Sequence, residues 1–164
     1  MRGDAYIPLE VSSSSADGSG RVTPVGLEQF DLQGPGVSMI GVDTGWYEPE
    51  YDPRTSRSWR WSSEKAAFWV RPVGRDVRLS LSGESPLKYF DTAPVVTITI
   101  ADREIDRFSP SADFAHEVVL PAEALAGANG LVILNSDKWF VPAERNQSLD
   151  KRHLALRIYS YRVR

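Results

Sequence analysis

The sequence predicts an all-β protein, an antiparallel β-sandwich of jelly-roll type with at most one or two short helices. Three observations lead there. Apolar residues recur at every second position through the second half of the chain. Prolines and turn signals fall mostly at the borders of these runs, and only one short segment looks helical.

Taken in order, Tyr6, Ile7, Leu9 and Val11 suit one short strand, and residues 12–20, SSSSADGSG, suit a flexible linker. Residues 1–35 are therefore expected to be an N-terminal strand and Ser/Gly linker partly packed on a sandwich domain of residues 36–164. Gly34-Pro35-Gly36 marks a turn. AFWVRPV, from Ala67, is a short apolar run. VRLSLSG sets Val77, Leu79 and Leu81 against Arg78, Ser80 and Ser82, a half-buried strand. VVTITIA repeats the pattern with Val96, Ile98 and Ile100. FAHEVVL, GLVILNS and LALRIYSYRV are further strands, rich in the β-branched and aromatic residues that suit a pleated surface. Strict alternation in the last puts Leu154, Leu156, Ile158, Ser160 and Arg162 on one face, and Ala155, Arg157, Tyr159, Tyr161 and Val163 on the other. Pro72, Pro86, Pro94, Pro110, Pro121 and Pro142 punctuate the runs. The helical segment is PAEALAGA, residues 121–128, ended by Gly127 or Gly130. Many short strands with almost no helix favour a sandwich or barrel.

The 164 residues suffice for one domain with a real core. A net charge of −3 without a basic block argues against a nucleic-acid partner. The lack of cysteine excludes disulfides, thiolate catalysis and Cys-ligated zinc. No stretch reaches the ~20 apolar residues of a membrane span, and MRGDAYIPLEVSSSSADGSG has no apolar segment of the signal-peptide kind. The isolated chain is therefore expected to be soluble and monomeric.

Catalytic and metal chemistry find weak footing. His116 lies within a strand and His153 precedes the last one, and no GxSxG elbow gives either a nucleophile partner. Asp137, Glu144 and Asp150 flank one loop and supply oxygens of the kind calcium takes, but no EF-hand loop is present. Glu48 and Glu50, two apart and so on one face of a strand, have a spacing suggestive of glycoside hydrolysis, but two nearby glutamates occur by chance in most chains. The expectation is no cofactor, no metal and no catalytic residue.

The richest stretch is residues 45–61, GWYEPEYDPRTSRSWRW, with three of the five tryptophans. Aromatic faces stack on sugar rings while Arg, Glu and Asp bind hydroxyls, so this mixture suits a small polar ligand. Trp and Tyr are also commonly buried, and a Glu–Arg pair beside them can simply pin a loop. Asp52-Pro53 initiates a turn that lays GWYEPE beside SWRWS. Trp61 is expected in the core, with Arg60 on the other face meeting Glu48 or Glu50. The loop over residues 137–152 is long for a sandwich connection, which favours function.

These blocks resemble the extracytoplasmic β-sandwich appended to bacterial multi-span membrane glycosyltransferases, lipid-linked-sugar enzymes related to the mannosyl- and arabinosyltransferases. The matching positions are Gly45, Trp46, Tyr47, Glu50, Arg60, Trp61, Ser62 and Ala66. In the second block they are Asp137, Phe140, Pro142, Asp150, Arg152 and residues 154–158. SPLKYFDTAPVVTITI fits between them, so the resemblance covers roughly residues 36–164. It implies a galactose-binding-like, carbohydrate-binding-module-like fold at the extracytoplasmic face of the bacterial inner membrane, beside a membrane-embedded catalytic region. That region is absent from this sequence, so transfer activity is not implied for it.

The resulting expectation is a non-catalytic module that binds glycan or glycolipid weakly. Trp46 and Trp139 are its candidate stacking platforms, with Glu48, Glu144, Asp150 and Arg152 as ligand-binding groups. Gly45, Glu50, Arg60 and Trp61 are the structural motif. The alternatives are a protein-interaction sandwich without a sugar site and a small glycan-acting hydrolase using Glu48 or Glu50.

Overall fold

The computed structural model describes residues 36–145 and 148–164. The expected N-terminal strand and linker lie outside them. The described residues form ten strands in chain order: β1 Ile40–Val42, β2 Glu50–Asp52, β3 Arg57–Trp61, β4 Lys65–Val70, β5 Val77–Glu84, β6 Val96–Ile100, β7 Arg103–Phe108, β8 Asp113–Leu120, β9 Leu131–Ser136 and β10 Arg157–Val163. They make two five-stranded antiparallel sheets, ordered β1-β4-β9-β6-β7 and β2-β3-β10-β5-β8. The chain changes sheet after β1, β3, β4, β5, β7, β8 and β9, so the sheets are woven together, as a sandwich of the jelly-roll kind requires.

The alternation read from sequence is the alternation of burial. Val77, Leu79 and Leu81 of β5 face Val96, Ile98 and Ile100 of β6, and all six side chains are buried. Phe68, Val70, Val132 and Leu134 complete the layer from the first sheet, and Val118, Leu120 and Ile158 from the second. Each such side chain contributes roughly 1.5–3 kcal/mol by leaving water, which makes this layer the main source of stability. PAEALAGA becomes α1, Ala122–Gly127, which sends Leu125 into the core. Gly130 then takes φ +81° and donates its N–H to the Leu125 carbonyl. A second helix, α2 Pro142–Arg145, forms within the long loop.

β10 departs from strict alternation. Its register against β5 shifts between Ile158 and Ser160, so Tyr159 is an extra residue in the ladder. Ile158 lies opposite Gly83, whereas Ser160 lies opposite Ser82 and Arg162 opposite Ser80. Residues facing each other across a ladder share a face. Ser160 and Arg162 therefore lie on the outer face with Ser80 and Ser82, while Tyr161 and Val163 pack on the core. This overturns the expected grouping of Ser160 and Arg162 with Leu156 and Ile158. A β-bulge swaps the faces beyond it, and alternation alone does not reveal one.

Gly45 has φ +78°, and a Cβ there would sit 2.0 Å from the Lys65 carbonyl oxygen. Gly74 has φ +71° in open space. Both substitutions to alanine strain the backbone, but only the first also collides with β4. Gly74→Ala should cost about 1 kcal/mol and Gly45→Ala upwards of about 3 kcal/mol, read from paired urea unfolding curves. Equal losses would mean that the close approach at Gly45 is not what restricts it.

Candidate functional site

Strand pairing assembles one end of the second sheet's outer face. Glu50 lies opposite Trp59, and Arg157 lies opposite both Trp61 and Glu84. These side chains share one face across β2, β3, β10 and β5. Ile158, opposite Arg60, belongs to the main core, so Trp61 faces away from that core. It is nevertheless only 5% exposed. The segment after β9 folds back over it, with Phe140 at 5.9 Å edge-on and Leu154 beside it, and this second cluster is separate from the main core. The expected burial of Trp61 is thus found, by a different cover.

Arg60 does not meet Glu48 or Glu50. Its Nη1 donates to the Tyr47 carbonyl at 2.9 Å. Glu50 is engaged elsewhere: its Oε2 accepts from Trp59 Nε1 at 3.0 Å and its Oε1 from Arg152 Nη2 at 2.9 Å. Arg152 also donates to Asp150, at 2.7 Å from Nη2 and 3.0 Å from Nε, and lies over the Tyr47 ring at 5.2 Å. The Tyr47 hydroxyl accepts from the His153 N–H at 3.2 Å. Segments about a hundred residues apart are clamped here by one guanidinium bridging two carboxylates. The expected proximity of GWYEPE to the 137–152 loop is realised through this clamp.

The hydrogen bond from Arg152, followed by one from its own backbone N–H, holds the Asp150 carboxyl below its ordinary range. Reciprocally, Asp150 and then Glu50 raise Arg152 above its ordinary value. Arg157 sits 4.8 Å from the ring centres of both Trp59 and Trp61, and its Nη1 donates to Glu84 at 3.0 Å. Glu84 also accepts from the Tyr159 hydroxyl at 2.7 Å. Arg157 Nε is buried without an acceptor, as is the hydroxyl of Ser85, the neighbour of Glu84. Unsatisfied buried polar atoms each cost about 1–3 kcal/mol and are rare. Both lie at this end of the sheet, beside the Glu84–Arg157 pair.

A cavity of about 330 Å³ opens here, lined by Glu50, Glu84, Asp150, Arg152, Arg157 and Tyr89 among others. A second cavity of about 340 Å³ shares Tyr89 and is lined by Asp137, Lys138, Trp139 and Arg145. Tyr89, in a 3-10 turn at Leu87–Tyr89, stacks on Phe140 at 3.9 Å.

The expected ligand set is split. Asp150 and Arg152 stand together in the first cavity, and Trp139 stands at the second, 44% exposed with one face stacked on His153 at 5.8 Å. Trp46 lies elsewhere: it is half-buried on Phe68 at 4.7 Å, and its Nε1 donates to the Ala67 carbonyl. That packing removes it as an open platform. Glu48 and Glu144 are exposed and line neither cavity. Asp137 Oδ1 accepts from the Val95 N–H at 2.7 Å, a backbone-holding role. Among the described residues, no group of three His, Asp or Glu side chains could hold a metal ion. Sequence reasoning missed Glu84, Tyr89 and Arg157. Arg157 fell in a candidate strand and Tyr89 in the SPLKYF segment, while Glu84 fell between VRLSLSG and that segment.

No family model, curated protein or solved structure matches this chain. The resemblance to glycosyltransferase-appended sandwiches rests on its motif residues alone.

Because Asp150 titrates low in the folded protein, its contribution to stability is present above the ordinary carboxylate value of ~3.9 and is lost as pH falls through the folded value. Arg152→Ala should move the Asp150 carboxyl back toward ~3.9 and flatten that acid-side loss. Carboxylate-carbon NMR titration and urea unfolding at several pH values measure both. An unmoved Asp150 titration would show that Arg152 is not its cause.

Proposed function

We propose that the domain is a non-catalytic carbohydrate-binding module, an accessory to a bacterial cell-envelope glycosyltransferase. The observation that carries the carbohydrate reading is the pair of adjoining cavities around Tyr89, one walled by fixed carboxylate–guanidinium pairs and the other by an exposed tryptophan. A sugar hydroxyl both donates and accepts. Asp150 and Arg152, locked side by side, offer an acceptor and a donor without further ordering of side chains. Trp139 keeps much of its surface open to an apolar ring face. The carboxylates of the first cavity are engaged with Arg152, Arg157, Trp59 and Tyr159, an arrangement that holds a ligand rather than attacks it. The link to a membrane glycosyltransferase and to the extracytoplasmic face rests on the sequence resemblance. No helix among the described residues is long and apolar enough to cross a membrane.

One observation favours the interaction-domain alternative. Trp69 and Leu131 lie opposite each other across β4 and β9 and are 42% and 39% exposed. An apolar pair on the outside of the first sheet suits contact with another protein surface.

A titration separates the two. Uncharged oligosaccharides added to isotopically labelled protein should shift amides around Tyr89, Trp139 and residues 148–153, with a Kd around millimolar, about −4 kcal/mol. Trp139→Ala and Arg152→Ala should each abolish the shifts. No shift well above millimolar sugar leaves the interaction domain standing.

A further inference from the structure

The outer face of the second sheet carries another trough, about 320 Å³, lined by Ser80, Ser82, Ser160, Arg162, Arg164 and Glu117 among others. It lies on the same two central strands as the first cavity. Glu84 and Arg157 line one, and Ser80, Ser82, Ser160 and Arg162 line the other. Glu84 and Ser80 are four positions apart on β5, a distance of about 13 Å along the strand. Between them, at the bulge, Tyr159 turns its hydroxyl to Glu84.

Three features distinguish this trough. The first is charge. Arg78, Arg162 and Arg164 face the single carboxylate of Glu117, which pairs with Arg78 at 3.3 Å and Arg164 at 3.0 Å. Arg162 has no carboxylate partner among the described residues. This local surplus of cations stands on a chain whose net charge is −3. The second is the hydroxyl pair of Ser82 and Ser160, 2.8 Å apart. Only one of the two protons is used between them, and the other hydroxyl keeps a proton to donate. The third is the bulge, which brings Ser160 and Arg162 into register with Ser82 and Ser80 on this face. Bulges of this kind re-aim side chains and are common beside binding sites.

We infer that the glycan is acidic and runs along the second sheet, with a carboxylate, sulfate or phosphate substituent held by Arg162 and the Ser82–Ser160 hydroxyls. This deepens the carbohydrate reading and rests on it for the neutral part of the ligand. A guanidinium takes such oxyanions through paired, charge-assisted hydrogen bonds. The neighbouring Arg78 and Arg164 add attraction that salt screens.

The test uses the full chain, a panel of uronate-, sulfate- and phosphate-bearing oligosaccharides, their methyl-esterified, desulfated or dephosphorylated counterparts, and inorganic sulfate alone. The readout is amide shifts at Ser82, Ser160 and Arg162. At least one acidic oligosaccharide should bind about tenfold or more tightly than its uncharged counterpart, and Arg162→Gln should erase that difference while leaving the counterpart's affinity unchanged. Added salt should weaken the acidic ligand alone. Neutral and acidic glycans binding equally would overturn the inference and keep the carbohydrate reading. Sulfate alone shifting these amides while every glycan stays silent would overturn the carbohydrate reading and with it the acidic glycan. An acidic preference that survives Arg162→Gln would place the charge elsewhere and overturn the assignment, and complete silence would overturn both.

Discussion

The pairing of β10 with its two neighbours governs the rest of the second sheet. β10 lies between β3 and β5, and one extra residue, Tyr159, divides it into two registers. Before the bulge, Arg157 points outward between the indoles of Trp59 and Trp61. After it, Ser160 and Arg162 point outward and Tyr161 and Val163 point in. A shift of one residue inverts every side chain beyond it. Without the bulge, an arginine and a serine would be driven between the sheets, and an unpaired buried charge is among the most unfavourable things a core can hold. The bulge lets a single strand serve the core along its whole length while presenting polar groups outside.

The same end of the sheet is covered twice. On the inner side lies the main core, and on the outer side Phe140, Leu154 and Tyr89 bury Trp61. A second apolar cluster on the outer face pulls Arg157 and Glu84 partly out of water with it. Their interaction compensates in part: a cation over an aromatic ring contributes about 0.5–2 kcal/mol, and the Glu84 hydrogen bonds add to it. The buried Arg157 Nε without an acceptor is what this compensation leaves undone. Tyr159, whose hydroxyl burial and Glu84 hold above its ordinary pKa, stays a neutral donor to that carboxylate.

Elsewhere the polar groups serve to hold the chain. Asp52 accepts from the Arg54 N–H at 2.9 Å and shapes the β2–β3 turn. His116, stacked on Phe108 at 3.9 Å and paired with Asp106, joins β8 to β7 across the open edge between the sheets. Such groups are titratable and chemically capable, yet their contacts are those of structural fastening. The clamp at Arg152 differs because one guanidinium at a cavity wall ties together carboxylates about a hundred residues apart.

The sequence by itself determined the all-β class, the two-residue rhythm of β5, β6, β8 and β9, the Asp52-Pro53 turn and the place of α1. These are local properties: alternation, proline position and helical spacing act over a few residues. It also singled out, by its length, the loop that carries Asp150, Arg152 and Trp139, which line the two adjoining cavities. The tertiary structure alone decided which aromatic residues are open. Trp46 and Trp139 differ little in local context, but one packs under β4 on Phe68 and the other stands at the surface. It alone decided that Arg60 meets a carbonyl and that Glu50 meets Arg152, 102 residues away. Pairing across that separation depends on which strands become neighbours, and no periodicity within one strand carries that information. The bulge at Tyr159 has the same origin, because a register exists only between two strands.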